Sequence, residues 1–126
     1  MKAMSESDII QFFLGVITQV KLFHWSTMSY AKHKALDDLH GALSDKIDNF
    51  VECYLGKYNK QPLKSFSIQP KAVSDTAGLE KYLNTLCEQL TAMHKAFEKE
   101  KATELCNILD EMMSEVDKTM YLCKLS

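Results

Sequence analysis

The sequence predicts an all-α protein, an antiparallel four-helix bundle of ferritin-like connectivity with one long crossover between its second and third helices. Three observations carry this. The chain has 126 residues but only four Gly and two Pro, too few breakers for a turn-rich fold. Four segments repeat apolar residues at three- and four-residue steps, the period of a helix with one buried face. Both prolines fall in the single stretch that separates the second segment from the third.

The first helix opens at Ser5, with Asp8 three residues on as a capping-box partner. Its stripe is Ile9, Ile10, Phe13, Val16, Ile17, Val20 and Phe23, and His24 extends the stripe by one further step. Nothing from Ser26 to Tyr30 is Gly or Pro, so a tight corner is expected, which makes the first two helices antiparallel neighbours. The second helix is expected from about residue 30 to 58, with a core stripe of Leu36, Leu39, Leu43, Ile47, Phe50 and Tyr54.

From Gly56 to Thr76 the helical pattern stops. That segment is too long for a hairpin turn and suits a crossover along the bundle, with Leu63, Phe66 and Ile68 packed against it. Ser74 or Asp75 caps the third helix, whose stripe runs Leu79, Leu83, Leu86, Leu90, Met93 and Phe97. The charged run at 98–101 marks the next turn. Leu105, Ile108, Leu109, Met112, Val116, Met120 and Cys123 then form the stripe of the fourth helix.

Length suits one domain over residues 1–126. Formal net charge is −2, and the 15 basic residues are scattered, so a nucleic-acid footprint is not expected. No apolar run approaches the ~18 residues of a membrane span, and no secretory leader opens the chain. The four cysteines lie far apart without a CxxC motif, which favours reduced thiols and a cytoplasmic setting. The seven methionines are read as core filling.

One face of the second helix carries the candidate chemistry. At about 100° per residue, with His33 as zero, Asp37 falls near 40°, Asp48 near 60° and Glu52 near 100°. Along the axis, however, His33 and Asp48 stand roughly 22 Å apart, so one chain cannot bring both to one ion. They form a single site only where a second copy lies antiparallel and sets its Asp48 and Glu52 against the first copy's His33 and Asp37. The tight corner adds His24 to the histidine end. The plain alternative is a solvated acidic face with a hydrogen-bonded core-edge histidine. His40 is left out as more than half a turn off the row, and His94 with Glu98 is set aside as an ion pair lacking a third ligand. Mixed imidazole and carboxylate donors suit iron, zinc, manganese or cobalt. No Glu is followed three residues later by His, so a di-iron centre inside one bundle is unsupported.

With those residues in view, the sequence resembles the Dps-type mini-ferritins of the ferritin-like superfamily, and also short phage- and virus-encoded ferritin-like proteins. The resemblance rests on His24-Trp25 and on His33 followed by Asp37, Asp48 and Glu52 at offsets of four, fifteen and nineteen. Asp117–Leu122 is similar to the closing helix, with Tyr121 where a Trp is common. His33 follows His24 by nine residues where the family usually has twelve, and the Lys-rich amino-terminal arm used on DNA is absent. The resemblance implies a homodimer at least, or the family's twelve-subunit shell. It implies metal ligands His24, His33, Asp37, Asp48 and Glu52, with His24, His33, Asp48 and Glu52 catalytic, and Trp25 guarding against stray oxidants. The implied activity is Fe(II) oxidation by peroxide or dioxygen at an inter-subunit site, for iron sequestration or oxidative-stress protection. The competing expectation is a non-catalytic dimeric bundle with a vestigial or zinc-binding site.

Overall fold

The computed structural model describes residues 5–61, 64–72 and 75–125. Its helices are α1 (Glu6–Ser26), α2 (Tyr30–Tyr58), α3 (Thr76–Lys99) and α4 (Thr103–Cys123), and no strand occurs among the described residues. None of these helices is long and apolar enough to cross a membrane.

Each start and stop has a local cause. Ser5 and Asp8 form the expected capping box on α1, which satisfies two backbone donors that a helix start leaves open. Ser29 caps α2 through the Lys32 amide, and Asp75 caps α3 through the Gly78 amide. Ser74, the other candidate cap, and Leu63 lie outside the described residues. Asn59 ends α2 in the left-handed conformation that Asn tolerates better than most residues. The α3–α4 corner closes with the Lys101 amide on the Glu98 carbonyl and the Ala102 amide on the Phe97 carbonyl. This Schellman arrangement tucks Ala102 fully into the core, while Lys101 takes a φ of 59°.

The crossover sets the topology. Gln11 donates to the Ser67 carbonyl at 3.0 Å. The buried Gln19 amide both donates to the Lys71 carbonyl and accepts from its amide, each at 2.8 Å. The segment therefore runs alongside α1 in the same direction. Lys32 Nζ, bonded to Thr76 Oγ1 at 2.9 Å, sets the start of α3 beside the start of α2. The bundle order is α1, α2, α4, α3, and a Phe23–Tyr82 edge contact links α1 to α3. Each helix is antiparallel to the helices on either side of it.

The predicted stripes form the core: Phe13, Leu36, Phe50, Leu83, Leu90, Leu109 and Met112 are all essentially inaccessible to water. Phe50 lies 5.1 Å from Phe13 and 5.7 Å from Phe97, tying three helices together. Truncating such a side chain to Ala typically costs about 3–5 kcal/mol. Two expectations of packing do not hold. Phe66 on the crossover is exposed, whereas Ile68 is half-buried against Gly15. Met28 fills no core, because it sits at the tip of the α1–α2 corner and is 97% exposed.

Candidate metal centre

The α1–α2 corner brings His24 and His33 together. The His24 and His33 ring centroids stand 3.8 Å apart with the planes 21° from parallel. His24 Nδ1 lies 2.8 Å from the His33 carbonyl oxygen, and His33 Nδ1 lies 2.9 Å from the His24 carbonyl oxygen. A carbonyl can only accept, so both Nδ1 atoms carry the proton and donate. In the neutral rings both Nε2 atoms are thereby left as bare lone pairs. This is the tautomer metal-bound histidines use when their other nitrogen donates to a backbone carbonyl.

Asp37, one turn beyond His33, places Oδ1 3.8 Å from His24 Nε2. His24 is buried, and Asp37 is exposed. The corner therefore sets His24 beside His33 on one side and within 3.8 Å of Asp37 on the other, without the three converging on one point. Trp25 projects into solvent under Lys21, whose Nζ stands 5.5 Å from the ring centre.

The exclusion of His40 does not hold. Seven residues is close to two full turns, so His40 lies about 20° from His33 on the helical wheel, at the edge of the ligand row. Burial and the Lys21 charge push its imidazole below the usual value, while Asp37 pulls the other way and His24 adds to the lowering. The same four side chains, from two helices, thus share one neighbourhood. The seven-residue spacing alone was sufficient to find it.

Asp48 and Glu52 sit further along the same face and are exposed. Hydrogen bonding to Asp48, and then its like charge, hold the Glu52 carboxyl above its ordinary value. Two carboxylates this close favour a shared proton or a shared cation. Between the two clusters an apolar groove of about 200 Å³ opens against α1, lined by Ile10, Leu14, Ile17, Ser44, Asp48 and Val51 among others. Among the described residues, no three His, Cys, Asp or Glu side chains of one chain converge to hold a metal ion. The axial separation of His33 from Asp48 stands as the helix geometry requires.

His94 differs from its sequence reading. Its Nδ1 lies 3.7 Å from Glu98, but its Nε2 also meets Asp110 of α4 at 3.2 Å, so a third group is near. Cys53, Cys87 and Cys106 carry free thiols. Burial and Asp117 push the Cys87 thiol up to about 11, which keeps it protonated and inert.

The fold and this face define a small four-helix-bundle protein with an imidazole cluster and a carboxylate pair on the outer side of α1 and α2. The chain belongs to a family described as a family of unknown function (DUF5856), whose model matches residues 24–123. It is similar to an uncharacterized 14.6 kDa protein in the mobD-ri intergenic region of Enterobacteria phage T4. The two are 27% identical over 117 residues, which cover 90% of this chain and 86% of the phage protein. No solved structure matches it.

Proposed function

We propose that the protein binds and oxidises Fe(II) at a site shared between two copies, as its resemblance to the Dps-type mini-ferritins implies. The observation that carries this is the reciprocal histidine pair, in which both Nδ1 protons are committed to backbone carbonyls. Ser29 already caps α2 at this corner, so the two imidazoles add a second clasp there and keep two lone pairs available. His24, His33 and Asp37 of one copy and Asp48 and Glu52 of the other make a nitrogen and oxygen donor set. Such a set suits Fe(II), and its carboxylates favour the higher charge of Fe(III).

Iron is the substrate in this reading. Each Fe(II) gives up one electron, and two electrons with two protons take peroxide to two waters. Carboxylates close to the ion lower the cost of the added positive charge, and the fixed imidazoles hold the ion in place without reorganising. Trp25, next to His24 and exposed, is positioned to intercept oxidants that escape.

The test is anaerobic Fe(II) loading followed by a stoichiometric addition of peroxide, read as ferric absorbance. Wild type is expected to oxidise iron faster than buffer, and a His33→Ala, Glu52→Ala variant at the buffer rate. Equal rates for the two proteins would remove the reading. The second reading is a dimeric bundle that keeps the corner clasp without catalysis and takes zinc. It draws on the hydrogen bonds that give both rings a structural task, and purification with stoichiometric zinc and no iron oxidation would favour it.

A further inference from the structure

We infer that the end of the bundle where α1 meets α2 docks on an anionic lipid surface, with Trp25, Met28, Tyr30, Tyr121 and Leu125 entering the headgroup layer among lysines. Docking of this kind needs one copy of the chain and no metal, so it stands apart from the iron reading.

All four helices reach this end. α1 finishes at Ser26 and α2 starts at Tyr30, while the Lys32–Thr76 bond sets the start of α3 beside the start of α2. Glu80, Tyr121 and Lys124 line one cleft, which sets the last turn of α4 beside the opening of α3. Among the described residues, the five most exposed large hydrophobic side chains are Met28, Tyr30, Trp25, Leu125 and Tyr121, at 61–97% exposure. Every one of them lies here. Single exposed apolar groups are ordinary, whereas a cluster marks a surface that leaves water when it meets something else.

Shape and charge choose the occupant. Trp25 and Tyr121 stand on α1 and α4, which do not adjoin in the bundle order, with Met28 and Tyr30 on the α1–α2 corner. A partner helix needs a groove with its anchors along one line. These side chains instead ring the end of the bundle, where a plane across the bundle axis reaches them all. Within six residues of the helix ends here stand Lys21, Lys32, Lys34, Lys81, Lys118 and Lys124, against only Asp75 and Glu80. Among the described residues, Lys118 alone of these lysines forms an ion pair, and the Asp75 carboxylate is committed to capping α3 through the Gly78 amide. This end is therefore net basic in a chain of formal charge −2. Trp and Tyr rings settle at headgroup level, and Lys holds its ammonium at the phosphates while its stem lies along apolar surface. Lys21 has that arrangement over the Trp25 ring. With no helix able to cross a bilayer, attachment is confined to the surface.

Pelleting of the metal-free full chain, in chelator, with vesicles of phosphatidylcholine and phosphatidylserine tests this. Trp25 is the only tryptophan, so its emission reports on this end alone. At low salt, wild type is expected to pellet with these vesicles and to shift its emission to the blue. With phosphatidylcholine alone, or at high salt, it is expected to stay in the supernatant. Met28→Asp, at a position that fills no core, and the double variant Lys34→Glu, Lys124→Glu are each expected to lose pelleting with circular dichroism unchanged. Wild type that stays in the supernatant with Trp25 emission unmoved overturns the inference and leaves a protein partner as the occupant of this end. Binding that Met28→Asp leaves intact, or equal binding to phosphatidylcholine alone, also overturns it. A vesicle-bound protein that never oxidises iron removes only the ferroxidase reading, and a ferroxidase that ignores vesicles removes only this one.

Discussion

His24 and His33 hold each other's backbone: each ring donates a proton to the other residue's carbonyl, across a corner of three residues between α1 and α2. The two rings stack at 3.8 Å, so the pair acts as a clasp as well as a candidate ligand set. Replacing either ring by Ala removes the one hydrogen bond that ring donates, together with the stack, and leaves the other residue's carbonyl without that donor. Each single substitution is expected to cost about 1–2 kcal/mol by urea unfolding. Because the second substitution has less left to break, the double variant should fall short of the sum of the singles by about 1 kcal/mol.

Glu52 gives a pH dependence whose sign can be worked out. Its carboxyl is raised above the ordinary 4.5, first by hydrogen bonding to Asp48 and then by the like charge. The folded protein therefore holds this proton more tightly than the unfolded chain does. Its contribution to stability is present below the unfolded pKa and is lost as pH rises through the raised folded pKa. Asp48→Asn is expected to lower the Glu52 midpoint, as read by carbon-13 NMR titration of the carboxyl. An unchanged midpoint would show that the two groups do not interact.

Gln19 pins the crossover to α1 with two bonds of 2.8 Å to the Lys71 backbone. Because Gln19 is buried, Gln19→Leu removes both partners of a polar strip without offering replacements. A loss of about 2–3 kcal/mol is expected, from two hydrogen bonds and the desolvated Lys71 groups. Proteolysis should move with it, since trypsin cleavage after Lys71 becomes faster once the segment lifts from the helix.

Lys101 occupies a left-handed conformation at φ 59°, where a β-carbon is unfavourable. Lys101→Gly removes that strain while leaving the corner hydrogen bonds, which are made by backbone. The variant is expected to be more stable by up to about 1 kcal/mol, measured as a higher urea midpoint. A lower midpoint would show that the side chain supports the corner in a way the geometry does not display.

Much of the bundle was legible because each stripe repeats over about four to five turns, long enough for periodicity to outweigh any one residue. Residues that depend on a single position were harder. Met28 follows the helical step of its neighbours only in composition, and the corner that expels it is set by Thr27 and Ser29. Asp110 became a neighbour of His94 only through the α3–α4 register. His94 with Asp110, Thr91 with Met113 and Cys87 with Asp117 all pair symmetrically about Ala102, so placing that corner to the residue would have revealed the contact. Gln19 gave no signal, since its partner is backbone in a segment without pattern. His40 was readable from spacing and lies at the edge of the row with His33 and Asp37.

The Lys32–Thr76 contact and the strap beside α1 have one more consequence. Each half of the chain is a continuous helical hairpin with its own short corner, and among its described residues the segment that joins them contributes the half-buried Ile68 and the Lys71 backbone held by Gln19. The two hairpins are therefore expected to find each other without the covalent link, at the cost of the bonds from Gln11 and Gln19 to the crossover. Two peptides spanning 5–60 and 75–125, made separately and mixed, are expected to reconstitute a helical complex that co-elutes on gel filtration. The protein is in effect an assembly of two mates that happen to be translated together.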